Sequence, residues 1–367
     1  MAHRTSALVS SLVALTAGSL VTLAAAGCGS SSTTRQGFTD PGDTTTPDAG
    51  TDPTDPGSTG SSGNPAPQPT KPGCAQTMYT EALPTSASLS SLSFSTAQAQ
   101  TYMLGALQLR YPLGKFITEG GISSPLAAQQ GNCVDRFLSD KSSADAVLRG
   151  ATTAVHECGH LFDLGQAKGA SGASYVLRTD LRFDCSDGDT TTRSGKTFAR
   201  SLIRSDSFYA KRQACPPNQA SAGCDFYADT YLDGSPTDAM FDSGDQGYNS
   251  VLEEATQYVN SLATALAFKD AFAGSKSSDR DGILTFLWYI ERYHLMARTK
   301  YPSAYTLLSG DACWRQATLS VWDRAWFYLD ATKGMDELGL DDAALETLVK
   351  DPTLTAEIDA LRKLECQ

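Results

Sequence analysis

From residue 96 onward, apolar side chains recur every three or four positions in separate blocks, and each block reads as an amphipathic helix. The spacing predicts helices over 96–109, 144–164, 198–213, 250–268, 281–300 and 314–332, with a helical pair from 342 to the C-terminus. In the second block Ala151, Ala154, Val155, Cys158 and Phe162 form the apolar face. The fourth block carries its stripe on Val251, Ala255, Val259, Leu262 and Leu266. Asn249 or Ser250 can cap it, and Ser250 to Glu253 has the form of a capping box, with Glu253 reaching back to the cap. Apolar and polar residues alternate clearly only over 174–183, the one strand candidate. The expected fold class is therefore α+β and helix-rich, within a domain running from 74 to 367.

The first 73 residues follow a different pattern. No charge occurs between Thr5 and Cys28, Arg4 precedes the stretch, and its middle is Leu, Val and Ala, as in a signal peptide. The stretch ends Ala24-Ala25-Ala26-Gly27-Cys28, which resembles the lipobox of bacterial lipoproteins; the resemblance makes Cys28 the lipidated residue and 1–28 the signal peptide. Gly29 in place of an Asp points to the outer membrane of a bacterial cell envelope. Residues 29–73 are a linker rich in Thr, Pro, Gly, Ser and Asp, and positions 41–73 hold 8 of the 16 prolines. With almost nothing to bury, such a linker is expected to be disordered and to hold the domain off a membrane.

The 367 residues carry a formal charge of −12. Three cations and five aspartates before residue 74 account for −2, leaving about −10 on the domain. Such a surface repels polyphosphate, which excludes nucleic acid as a partner; membrane contact is expected only through the N-terminal lipid. Beyond Cys28 eight cysteines remain, an even number that an exported chain uses for disulfides, up to four of them. Cys215 and Cys224 are the nearest local pair. No CxxC occurs, so neither a thiol zinc knuckle nor a redox dithiol is indicated.

Of the four histidines, two stand in His156-Glu157-Cys158-Gly159-His160. Four positions apart on a helix, their imidazoles share a face away from the apolar stripe and can chelate one Zn²⁺, with Glu157 beside the metal's open position as base for a water. Cys158 points away from that face and is a core or disulfide cysteine. Asp163 is either an acceptor for a histidine ring N–H or a polar residue at the helix end.

This HExxH resembles that of the zincin metallopeptidases. The metzincin continuation is missing, because Asp163 and Gln166 stand where that group has Gly and His. The resemblance is thus to gluzincins, whose third ligand is a Glu on a second helix downstream, and HExGHxxD looks like the lethal-factor-like branch. Glu253 and Glu254 both compete for that role. Glu254 is preferred, since Ala255 to Tyr258 after it is similar to the gluzincin pattern and Glu253 has the cap to serve. On this likeness the fold is a zincin-like domain with an active-site helix and a ligand-bearing helix flanking a cleft. Residues 166–248 are then an insertion over that cleft. Zincins often place a His, Tyr or Arg from outside the motif on the oxyanion, and His294, Tyr293 and Tyr258 are the candidates.

The expected function is zinc-dependent hydrolysis of a protein or peptide substrate at the cell envelope, with Glu157 as general base. The alternative is a non-catalytic surface-binding lipoprotein with a structural or vestigial zinc site. A Ca²⁺ site is a further candidate at Asp225, Asp229, Asp233, Asp238, Asp242 and Asp245.

Overall fold

The computed structural model describes residues 73–74, 79–169, 171–190, 194–216, 223–232, 234 and 246–366. The signal peptide, Cys28 and nearly all of the linker lie outside the described residues. Within them the chain is helix-rich α+β. It comprises α1 (Ala99–Arg110), α2 (Pro112–Ile122), α3 (Ala144–Gln166), β1 (Ala173–Arg178), β2 (Leu181–Cys185), α4 (Tyr248–Ala267), α5 (Asp279–Lys300), α6 (Pro302–Gly310), α7 (Ala312–Ala331), α8 (Asp342–Val349) and α9 (Pro352–Glu365), with short helical turns between. No described helix is long and apolar enough to cross a membrane.

Local chemistry sets the main boundaries. Ser143 caps α3 by accepting from Ala146 N at 3.1 Å, and Asp311 caps α7 through Cys313 N at 2.8 Å. Pro112, Pro302 and Pro352 open α2, α6 and α9, where a missing N–H costs nothing. α3 lies between α2 and α4, and α4 in turn packs on α5. Val251, Leu252, Val259 and Leu262 on α4 are fully buried, each contributing about 1.5–3 kcal/mol. α8 and α9 pack on α5 from the C-terminal end.

Two helices, α2 and α6, had no predicted counterpart, and three predicted features depart from the sequence reading. Residues 198–213 do not form a helix but two 3-10 turns, Arg200–Ser205 and Tyr209–Lys211. Asp206 breaks the run, its Oδ1 accepting from Phe208 N and Tyr209 N at 2.9 and 2.8 Å, while Arg292 pairs with it from α5 at 2.8 Å. The strand over 174–183 is a hairpin: β1 and β2 pair antiparallel, Tyr175 opposite Phe183, around a turn at Thr179-Asp180. Finally, α4 starts at Tyr248 and has no side-chain cap, so the capping-box role of Glu253 is not found. Asp189 and Thr197 serve the start of the helix instead: Gly247 N donates to Asp189 Oδ1 at 2.9 Å, and Tyr248 N to Thr197 Oγ1 at 3.2 Å.

Four disulfides tie the frame: Cys74–Cys366, Cys133–Cys158, Cys185–Cys313 and the local Cys215–Cys224. Cys158 thus faces the core, fully buried, on the side of α3 away from the histidines.

Candidate metal centre

His156 and His160 project from α3 toward α4, and Glu254 projects from α4 toward both. Glu254 Oε2 lies 3.5 Å from His156 Nε2 and 3.5 Å from His160 Nε2. One ligand atom from each of the three residues falls within 4.8 Å of the others. Glu254 Oε2 is buried without a hydrogen-bond partner.

The remaining ring nitrogens are already engaged. His156 Nδ1 meets Ser261 Oγ at 3.1 Å, and His160 Nδ1 forms a short contact with Glu253 Oε2. With both Nδ1 atoms engaged, Nε2 is the nitrogen that each ring turns toward Glu254. Glu253 is fixed in turn by Gln257, whose Nε2 donates to Glu253 Oε1 at 3.1 Å and to Asp163 Oδ2 at 2.8 Å. Asn260 donates to Gln257 Oε1 at 2.8 Å, Arg324 to Asn260 Oδ1 at 2.7 Å, and Arg324 pairs with Glu81 at 3.0 Å. A buried polar chain therefore runs from the segment before α1 to the far side of the His160 ring.

Packing is adjusted to this chain. A Cβ on Gly159 would fall 1.9 Å from Gln257 Oε1, so the residue between Cys158 and His160 has to be glycine for α3 and α4 to meet. Likewise a Cβ on Gly282 of α5 would sit 2.2 Å from the Tyr258 ring. That gap lets Tyr258 lie edge-on to His156, ring centres 4.7 Å apart.

Electrostatics divide the group. Burial pushes the Glu254 carboxyl up, but the His160 charge and the approach of both imidazoles outweigh it and hold it below the ordinary carboxylate range. Burial likewise opposes charge on His160, yet the Glu253 and Glu254 carboxylates keep that imidazole well above its usual value. His156 goes the other way, lowered by burial. Glu157 is 4% exposed, its Oε2 has no hydrogen-bond partner, and burial raises its carboxyl to about 8 against the pull of His160.

Two imidazole nitrogens and one carboxylate oxygen are a donor set suited to Zn²⁺ rather than to Ca²⁺ or Mg²⁺, which prefer all-oxygen shells. Ligand atoms about 2.0–2.1 Å from a tetrahedral ion stand about 3.4 Å apart, close to the separation between Glu254 and each ring. The residues fit the ion.

His294 and Tyr293 are not brought to this group. His294 is fully buried with Nε2 2.8 Å from Tyr248 Oη, and burial lowers it to about 3. Tyr293 stacks on Phe198 at 4.0 Å and takes the Phe198 N–H at 2.9 Å. Tyr258 does lie beside His156, and its hydroxyl is 3.4 Å from that of Tyr231. Asp163 accepts from Val176 N at 3.0 Å and from Gln257, touching neither histidine ring. Of the acidic run, Asp225 is buried and committed to Tyr227 N, Ala228 N and Tyr289 Oη, and Asp229 is exposed on its turn. Asp233, Asp238, Asp242 and Asp245 lie outside the described residues. Ser261, Gln257 and Tyr231 were not singled out from sequence. Ser261 alone had a usable signal, since it lies seven residues after Glu254 and so shares its helix face.

No protein-family model, no curated protein and no solved structure matches this chain.

Proposed function

We propose that this chain is a zinc-dependent peptidase of the cell envelope, hydrolysing amide bonds in a protein or peptide. The observation that carries the reading is the convergence of His156 Nε2 and His160 Nε2 on a buried, unpartnered Glu254 oxygen. His156, His160 and Glu254 are the residues that would hold the ion. Zinc bound there supplies a Lewis acid and a water of lowered pKa. Glu157, one residue from His156 and short of hydrogen-bond partners, is the base that takes the proton of the attacking water and returns it to the leaving amine. Glu253 and Ser261 act through the rings, fixing which nitrogen of each histidine is free.

Glu157→Gln tests this. The variant is expected to keep its zinc and lose about 10²–10⁴-fold in the rate of digestion of a mixed protein substrate. Undiminished digestion would remove Glu157 from the reaction. A structural-zinc, partner-binding lipoprotein is the second reading, favoured by the burial of both histidines, 7% and 4% exposed. It requires that the unaltered chain digests nothing while binding zinc.

A further inference from the structure

The 166–248 segment brings a second cation to the neighbourhood of the metal group. Arg200 opens the first 3-10 turn, where its backbone N–H donates to Gln246 O at 2.8 Å. Its side chain is 1% exposed, and the guanidinium carbon lies 5.3 Å from the centre of the Tyr231 ring. The Tyr231 hydroxyl is 3.4 Å from that of Tyr258, whose ring lies against His156. Two tyrosines thus bridge the guanidinium and the metal-facing imidazole. Of the acids that act on Arg200, Glu254 acts most strongly.

What sets Arg200 apart is its open edge. Its Nε and Nη2 are buried and have no hydrogen-bond acceptor, and no carboxylate among the described residues pairs with it. Other buried arginines use that same edge on an acid. Arg292 places Nε and Nη2 on Asp206 at 2.8 and 3.1 Å, and Arg324 places them on Glu81 at 3.0 and 3.4 Å. Arg212 also leaves Nε and Nη2 without acceptors, but its Nη1 holds Asp341 at 2.6 Å. A buried guanidinium without an acceptor is costly, and its side-on fork matches the two oxygens of a carboxylate.

We infer that Arg200 is the carboxylate receptor of this site, so that the preferred substrate carries a carboxylate close to the scissile amide. The inference rests on the peptidase reading and narrows its substrate class. Either a chain-terminal carboxylate or an Asp or Glu side chain presents the required group.

Three peptide hydroxamates separate these sources when titrated into the full zinc-loaded chain by calorimetry. The first ends in a free carboxylate, the second is the same peptide amidated, and the third is amidated with an internal Glu. One carboxylate-bearing compound is expected to bind about 10- to 100-fold more tightly than the amidated one, and which of the two does so identifies the source. Arg200→Gln should abolish the preference while leaving zinc content and affinity for the amidated compound unchanged; Arg200→Lys should keep part of it. Equal binding of all three by the unaltered chain overturns the inference without any variant, as does a preference that survives Arg200→Gln. A chain that holds no zinc and binds none of the compounds fails differently, taking the peptidase reading with it.

Discussion

Glu253 and Glu254 are consecutive on α4, so their side chains leave it about 100° apart, and each meets a different nitrogen of His160. From sequence the two were alternatives; the cap role expected of Glu253 is not found, and its carboxylate meets His160 Nδ1 while Glu254 Oε2 faces the Nε2 atoms of both histidines. Removal of Glu253 is therefore expected to weaken zinc binding about 10- to 100-fold without abolishing it. A residue of another kind is Glu291, fully buried on α5 with neither oxygen hydrogen-bonded. Burial raises its carboxyl to about 10, with the Asp351 and Glu357 charges adding to the shift. A folded pKa above the unfolded one contributes stability that is complete below about pH 4.5 and is lost as pH rises toward 10. Glu291→Gln keeps the neutral shape at every pH, so its gain over the native chain should be larger at pH 8 than at pH 5, by about 2 kcal/mol or more. Urea unfolding at the two pH values measures it, and an equal gain at both would show that the carboxyl does not titrate in this way.

At the scale of elements, α3 and α4 were legible because each keeps an apolar stripe for about three turns or more. Residues 198–213 misled because their apolar residues fall at helical spacing while Asp206 ties the backbone into a turn that no periodicity reveals. The hairpin read as one strand because Thr179-Asp180 interrupts the alternation for only two residues. Neither the Gln257 bridge nor Tyr231 at the site had a local signal; both arise where distant segments pack. Gly159 shows what that packing demands. Helix propensity alone favours Gly159→Ala by up to about 1 kcal/mol, whereas the clash with Gln257 Oε1 should reverse the sign and destabilise by about 1–3 kcal/mol. Chemical denaturation of Gly159→Ala, Gln257→Ala and the double variant measures the coupling. A stabilising Gly159→Ala would mean that the two helices do not meet through this amide.

Across the whole molecule, the helix-rich α+β class followed from the number of helical blocks and the single alternating one. The disulfide pairing did not, apart from Cys215–Cys224, because Cys74–Cys366 and Cys185–Cys313 join segments that only the fold brings together. The Glu81–Arg324 pair ties the segment before α1 to α7, and Arg324 also holds Asn260 on α4, the helix that carries Glu254, Gln257 and Ser261. The most direct test is zinc per chain, by elemental analysis of the purified full chain and of His160→Ala, Glu254→Ala and Glu253→Ala, each equilibrated with micromolar zinc. The expected result is about one zinc in the unaltered chain and in Glu253→Ala, with loss in the other two. No zinc in the unaltered chain, or full zinc in Glu254→Ala and His160→Ala, would contradict it.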